Sequence, residues 1–337
     1  MLKISNKNIS KKESITVDFL FSNLRSRHHL LLFTEDIGLE NLIVEENLNR
    51  PGLALGGFLD LFIPTRIQVF GNTEMSFIYR LDQEERYNAL KKIYEYNIPC
   101  ILVTDNNKPT PEMLQLSYEY NIPILGTEIP TTRAISIITD FLEDQFAPRV
   151  TLHGSFVDVY GVGMLFVGKS GIGKSEVSLA LIEKGHRLVA DDVVILTKKR
   201  EGVIIGTGTE LVKHFMEIRG VGLIDVRSIF GVRAIRFQKR LEMIIELETW
   251  DENTSYTRTG IDDVFFDFLG VQIPFMKLPI VPGKNLAVIA EVIALNYLLK
   301  HYGYDAAKVF QKRLEYYLSS QQNYNSRNIE YFERDFE

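Results

Sequence analysis

The sequence predicts an α/β fold in two domains: an N-terminal open α/β domain, then a C-terminal domain built on a phosphate loop. Three observations lead there. The chain has 337 residues, too many for one small core. Its first third alternates strand and helix patterns. Near its middle, an apolar strand runs into a glycine-rich turn that opens a helix.

In the first third, residues 67–70 and 76–79 read as short strands and 82–96 as an amphipathic helix. A strand over 98–103, a helix over 111–120 and a strand over 122–125 follow. Tyr94-Glu95-Tyr96-Asn97-Ile98-Pro99 recurs as Tyr118-Glu119-Tyr120-Asn121-Ile122-Pro123. Each copy ends a helix and opens a strand, because Asn tolerates a left-handed cap and Pro stops the helix. Two such units suggest an open sheet and are too few for a solenoid. Residues 131–146 read as a connecting helix, with Thr131 or Thr132 as N-cap, so the boundary is expected to divide 1–132 from 133–337. The second domain opens with alternating residues Phe156 to Tyr160, a turn at Gly161 and a strand over 162–167. Late in the chain, the Pro282-Gly283-Lys284 turn precedes an apolar helix over 285–301. Gly303 stops it, Asp305 caps a last helix to about 318, and the polar tail is expected to fray.

Composition narrows the function classes. Hydrophobic residues make up 45% and charged residues 24%, an ordinary globular mixture. The net charge of −6 gives no global attraction to nucleic acid or to an anionic membrane. Cys100 is the only cysteine, which excludes an intramolecular disulfide and a cysteine-rich zinc site. The polar opening residues 1–14 have no apolar signal region, and Glu291 and Asn296 interrupt the most apolar late segment. A cytoplasmic location is expected.

The strongest motif is Gly168-Lys169-Ser170-Gly171-Ile172-Gly173-Lys174-Ser175, which fits G-x-x-x-x-G-K-[ST] in full. Glycines let backbone N–H groups close around phosphate oxygens, and the helix N-terminus adds partial positive charge. Lys174 is placed to neutralise terminal phosphate oxygens and the Ser175 hydroxyl to bind Mg²⁺.

Downstream, the apolar run Leu188-Val189-Ala190 ends in Asp191-Asp192. A strand ending in Asp commonly delivers a carboxylate to metal or nucleophile in such folds. Adjacent strand residues face opposite sides, so one aspartate need face the nucleotide while the other caps or pairs structurally. Glu217 to Val226 combines charges, two glycines and an apolar strand; Glu217 could complete a Mg²⁺ shell, or the segment is a loop beside an edge strand. Arg219, Arg227, Arg233, Arg236, Lys239 and Arg240 make this stretch basic, suiting an acidic or phosphorylated partner or simply a solvated face.

Together these residues resemble the HPr kinase/phosphorylase family, bifunctional bacterial enzymes of the sugar phosphotransferase system. The resemblance rests on His153-Gly154, the loop 168–175, Gly185 through Asp192, Glu217 through Val226, and Pro279 through Ala287. It is close from His153 to the last helix; over the first domain it is one of size and α/β layout. Val232-Arg233 departs from it, standing where the family often carries small residues. The resemblance implies that the loop backbone and Lys174 hold the polyphosphate of ATP or pyrophosphate, and that Ser175 and Glu217 bind Mg²⁺. It further implies that Asp192 accepts the substrate proton, that His153 assists, and that Arg258 is another active-site residue. The phosphocarrier protein HPr is the implied partner, and a homo-oligomer, commonly a hexamer, the implied assembly. A small-molecule kinase and a non-catalytic nucleotide-gated switch are the alternatives. Against the switch, Asn107-Lys108-Pro109-Thr110 lacks the aspartate of a guanine-binding motif, and Asp267-Phe268-Leu269-Gly270 lies far downstream of the loop.

Overall fold

The computed structural model describes residues 9–200, 202–209, 211–251, 264–281 and 283–324. The chain divides into two compact units, Ser10–Pro148 and Arg149–Glu337, the second taking in Met1–Ile9. After β1 (Ile9–Ser10), the first unit runs β2 (Ile15–Thr16), α1 (Val17–His28), β3 (Leu31–Leu32), β4 (Leu42–Ile43) and α2 (Gly52–Leu55). It continues with β5 (Gln68–Phe70), α3 (Asn72–Arg80), α4 (Gln83–Tyr94), β6 (Ile101–Val103), α5 (Pro111–Tyr120), β7 (Ile124–Gly126) and α6 (Thr131–Phe146). The sheet order is β3-β7-β6-β5, with β5, β6 and β7 parallel and β3 antiparallel at the edge. Local chemistry sets these elements. Asp82 starts α4 by accepting from the Glu85 N–H, and Thr110 starts α5 with Pro111 in its first turn.

Four expectations are corrected here. Residues 76–79 belong to α3, not to a strand. Met75 and Ile78 are buried at helical spacing, and the Glu74 carboxylate accepts from the Gly71 N–H. A short apolar run satisfies both periods, and the cap decides. The sequence echo is also not a structural one throughout. Asn121 adopts the left-handed cap at φ 54°, whereas α4 ends at Glu95 in the right-handed region. Finally, α6 does not open the second domain. It buries Ala134, Ile138, Leu142 and Phe146 in one core with Val69, Leu102 and Leu125, so the units divide at 148/149 rather than 132/133. The residue before α6 is Pro130, not a threonine cap.

The second unit runs β8 (Arg149–His153), β9 (Ser155–Val159), β10 (Val162–Gly168), α7 (Lys174–Glu183), β11 (Arg187–Ala190), β12 (Val193–Lys198) and β13 (Ile204–Gly208). There follow β14 (Phe215–Ile218), β15 (Gly222–Asp225), α8 (Val226–Phe230), β16 (Gln238–Arg240) and β17 (Met243–Thr249). The last elements are β18 (Phe265–Phe268), β19 (Val271–Ile280), α9 (Leu286–His301) and α10 (Ala306–Tyr324). Two sheets form, ordered β1-β8-β12-β13-β16 and β11-β9-β10-β17-β19-β18, while β14 and β15 make a separate hairpin. Strands β10, β17 and β19 are parallel. Their carboxyl ends therefore share one edge, the edge at which open α/β sheets take ligands.

Phe156 is fully buried in one core with Leu165, Val194 and Ile244. Gly206 makes room for it, since a Cβ there would come within 2.4 Å of the ring. Phe156→Ala is expected to cost about 3–5 kcal/mol, the range for emptying a buried aromatic site. Denaturant unfolding followed by far-ultraviolet circular dichroism measures it; a loss under about 1 kcal/mol would contradict this packing. No described helix is long and apolar enough to cross a membrane.

Candidate active site

The site begins where β10 ends. Residues 168–175 join β10 to α7 as a strand–loop–helix turn. Gly171 and Gly173 have φ of 78° and 104°, backbone that side-chain-bearing residues rarely adopt. A Cβ on Gly168 would stand 2.6 Å from the Leu247 carbonyl oxygen of the neighbouring β17, so the loop can lie this close only with glycine there. The Lys174 ammonium folds back over the loop and donates to the carbonyls of Gly168 and Lys169, at 3.3 and 3.2 Å. The site thus combines a glycine-lined turn, a helix N-terminus and a cation on one side of the sheet edge.

Two strand crossings complete it. The chain passes from one sheet to the other at Gly154, between β8 and β9, and again at Asp191-Asp192, between β11 and β12. β8 pairs with β12 and β9 with β11, so the crossings lie side by side, with His153 opposite Val193. Gly154 permits the first: a Cβ there would stand 2.8 Å from the Phe166 carbonyl oxygen. Asp192 makes the second in the left-handed region at φ 65°, a conformation Asp tolerates better than most residues. Its carbonyl accepts from the Gly154 N–H at 3.2 Å, tying the crossings together.

The crossings sort four side chains into two pairs. Inside, Asp191 is 3% exposed and accepts from the Ser175 hydroxyl at 2.9 and 3.1 Å and from the Ser155 hydroxyl. Burial pushes its carboxyl above the ordinary range, and the two hydroxyls pull the other way. Outside, Asp192 and His153 have side chains 61% and 77% exposed, with the His153 Nδ1 2.9 Å from the Asp192 carboxylate. The acidic pair therefore divides its work, parted by the bend between β11 and β12 rather than by strand alternation: one carboxylate holds the loop serine, the other stands open to solvent beside a histidine.

The hairpin β14–β15 carries Glu217 and Arg219. Glu217 is exposed and sits opposite Leu223. Arg219 reaches the phosphate loop itself, since a Cβ on Gly171 would meet its guanidinium at 2.5 Å. Among the described residues, no group of three or more His, Cys, Asp or Glu side chains gathers into a metal cluster. Ser175 and Asp191 supply only oxygen donors, the type a hard cation such as Mg²⁺ takes. Arg258 lies outside the described residues. The rest of the basic stretch is partly spent on structure, with Arg236 paired to buried Asp158 at 2.6 Å and Lys239 to Glu242 at 2.7 Å. Behind the loop, Glu291 on α9 accepts from Lys184 at 2.6 Å and contacts His186 at 3.0 Å, fastening α9 to the end of α7. The Lys184 hydrogen bond holds the Glu291 carboxyl below its usual range.

The structure brings the expected loop, His153 and Asp192 into one region and adds contacts from Asp191, Ser155 and Arg219 that the sequence did not assign. Strand alternation signalled that Asp191 and Asp192 differ without saying which faces inward. Arg219 stood two residues after Glu217 and was counted only as part of the basic run.

Comparison with known proteins bears on this arrangement. The family described as "HPr Serine kinase N terminus" matches residues 15–142, and "HPr Serine kinase C-terminal domain" matches residues 144–314. A protein named HPr kinase/phosphorylase from Chloroherpeton thalassium is 52% identical over 97% of this chain and 98% of its own length. One of the same name from Prosthecochloris aestuarii is 45% identical over 97% of each chain. The solved structure of the Hpr(Ser) kinase/phosphatase from Coxiella burnetii is 34% identical, covering 48% of this chain and 97% of its own, with a TM-score of 0.43. With both halves matched and full-length relatives at this identity, the chain belongs to the HPr kinase/phosphorylase family.

Proposed function

We propose that this chain phosphorylates a regulatory serine of the phosphocarrier protein HPr, using ATP or pyrophosphate. With inorganic phosphate it removes the same group again, giving pyrophosphate. The names of its relatives support this reading. The observation that carries it is the solvent-open Asp192–His153 pair next to a phosphate loop whose own residues 168–175 are exposed or half-buried. A serine on the surface of a folded protein cannot enter a closed acceptor pocket; it needs a base in the open.

In the forward direction, the serine hydroxyl attacks the terminal phosphorus and Asp192 takes its proton as the new P–O bond forms. The bond to the leaving nucleotide then breaks. In the reverse direction, an oxygen of inorganic phosphate attacks the phosphoserine. The serine oxygen leaves, and protonated Asp192 returns the proton to it. One carboxylate serves both directions by microscopic reversibility. His153, within hydrogen-bond distance of Asp192, orients its carboxylate. Lys174, the loop amides and Arg219 hold the polyphosphate, and Arg258 is a further active-site residue by family resemblance. Ser175 and Glu217 would hold Mg²⁺, with Asp191 fixing the Ser175 hydroxyl; the ion would neutralise and orient phosphate oxygens.

The assembly is a homo-oligomer, a hexamer by family resemblance. Val288, Val292, Leu295 and Leu299, between 42% and 59% exposed, form an apolar stripe on α9 that suits a subunit contact. The N-terminal unit has a regulatory or assembly role, and the enzyme works in the cytoplasm. The function is tested by incubating the full chain with labelled ATP and Mg²⁺, offering HPr, HPr lacking its regulatory serine, and a panel of small metabolites. Label is expected on intact HPr alone. Label on a metabolite, with HPr unmodified, would overturn the assignment.

A further inference from the structure

We propose that a cavity in the second unit, away from the phosphate loop, binds an amphipathic organic anion: an apolar or aromatic body carrying one acidic group. The cavity holds about 470 Å³, within the range of small-molecule sites. It opens between the C-terminal half of α9 and the starting ends of β17 and β19. Met243, Ile273, Pro274, Met276 and Ile293 give it apolar walls, and Tyr297 adds an aromatic face with a polar tip.

Charge at the mouth selects the ligand's sign. Arg240, Glu242, Lys300 and His301 line it. The Glu242 carboxylate is already engaged, accepting from Lys239 Nζ at 2.7 and 2.8 Å and from the Gly163 N–H at 2.5 Å. Lys300 and His301 occupy the last turn of α9, where cations offset the negative end of the helix, and Lys300 lies 3.8 Å from Asp305. The Arg240 side chain is exposed and makes no hydrogen bond or ion pair among the described residues, while its backbone pairs with Ile205 in the sheet. It is thus an uncommitted guanidinium beside an apolar chamber, the arrangement that takes a carboxylate or phosphate in a two-pronged hydrogen bond while the ligand's body fills the chamber.

The cavity is not an extension of the phosphate site. Met243 lines it at the start of β17, whereas Leu247, four residues on, lies against Gly168. At strand rise that is roughly 13 Å along the sheet, toward the opposite edge.

The test uses the full-length protein and two probes sharing one ring system: the anionic 1-anilinonaphthalene-8-sulfonate and the uncharged N-phenyl-1-naphthylamine. Fluorescence titration is expected to show one saturable anilinonaphthalenesulfonate site per chain, unaffected by saturating ATP and Mg²⁺. Arg240→Gln should weaken the anionic probe about tenfold, the scale of one charge-assisted contact, and leave the neutral probe unchanged. Met276→Trp should block both probes while thermal melting stays as in the wild type. The proposal is overturned if the wild type has no saturable site or if ATP competes with the probe. It is equally overturned if both variants bind the anionic probe within about twofold of the wild type.

Discussion

Lys174→Ala should lower phosphate transfer to HPr by roughly a hundredfold or more, the cost of removing one preorganised charge from a site of developing negative charge. The geometry makes Lys174 hard to replace. It is the first residue of α7, and its ammonium already reaches across the loop to the carbonyls of Gly168 and Lys169. A neighbouring cation cannot take over without moving, because Arg219 approaches from the hairpin side at Gly171. The loop backbone should survive, since its conformation rests on glycines and on the strand and helix it joins. Single-turnover transfer of labelled phosphate from ATP measures the effect. Turnover near wild type would remove the loop from the reaction.

Asp192→Asn should abolish both directions together, by about a hundredfold to ten-thousandfold, the usual reach of a positioned acid–base group. Asn has the same size and tolerates the left-handed conformation at φ 65°, so the strand crossing should persist. What is lost is the ability to take and return a proton. HPr phosphorylation and pyrophosphate formation, measured on the same preparation, should fall in parallel. Survival of either one would separate the two reactions and end the shared role of this carboxylate.

How much of this could be read from the sequence depended on how local each determinant is. The phosphate loop was legible because strand, glycines, lysine and serine are contiguous, and its position between β10 and α7 follows from their order. The cap residue Asp305 was legible for the same reason, its carboxylate accepting from the backbone N–H groups of Ala307 and Lys308 at the start of α10. That Asp191 and Asp192 face two sides was legible, although the bend after β11 separates them and not strand alternation. Which side faces the loop was not, because it depends on a crossing between two sheets beside another crossing 37 residues earlier in sequence, at Gly154. The end of the first unit was misplaced for a related reason. An amphipathic helix announces that it buries one face, and the partner of that face, here Val69, Leu102 and Leu125, is fixed by tertiary packing. Residues 76–79 failed at the shortest scale, where four apolar-rich residues fit strand and helix alike.

The account rests on a single carboxylate moving one proton to and from one serine oxygen at a shared phosphate site. ³¹P nuclear magnetic resonance of phosphoserine-HPr, mixed with the full chain, Mg²⁺ and excess inorganic phosphate, observes that chemistry directly. Pyrophosphate should appear mole for mole as the phosphoserine signal disappears. Disappearance of phosphoserine with release of orthophosphate alone would mean that water, rather than phosphate held at the loop, is the attacking group, and would contradict the account.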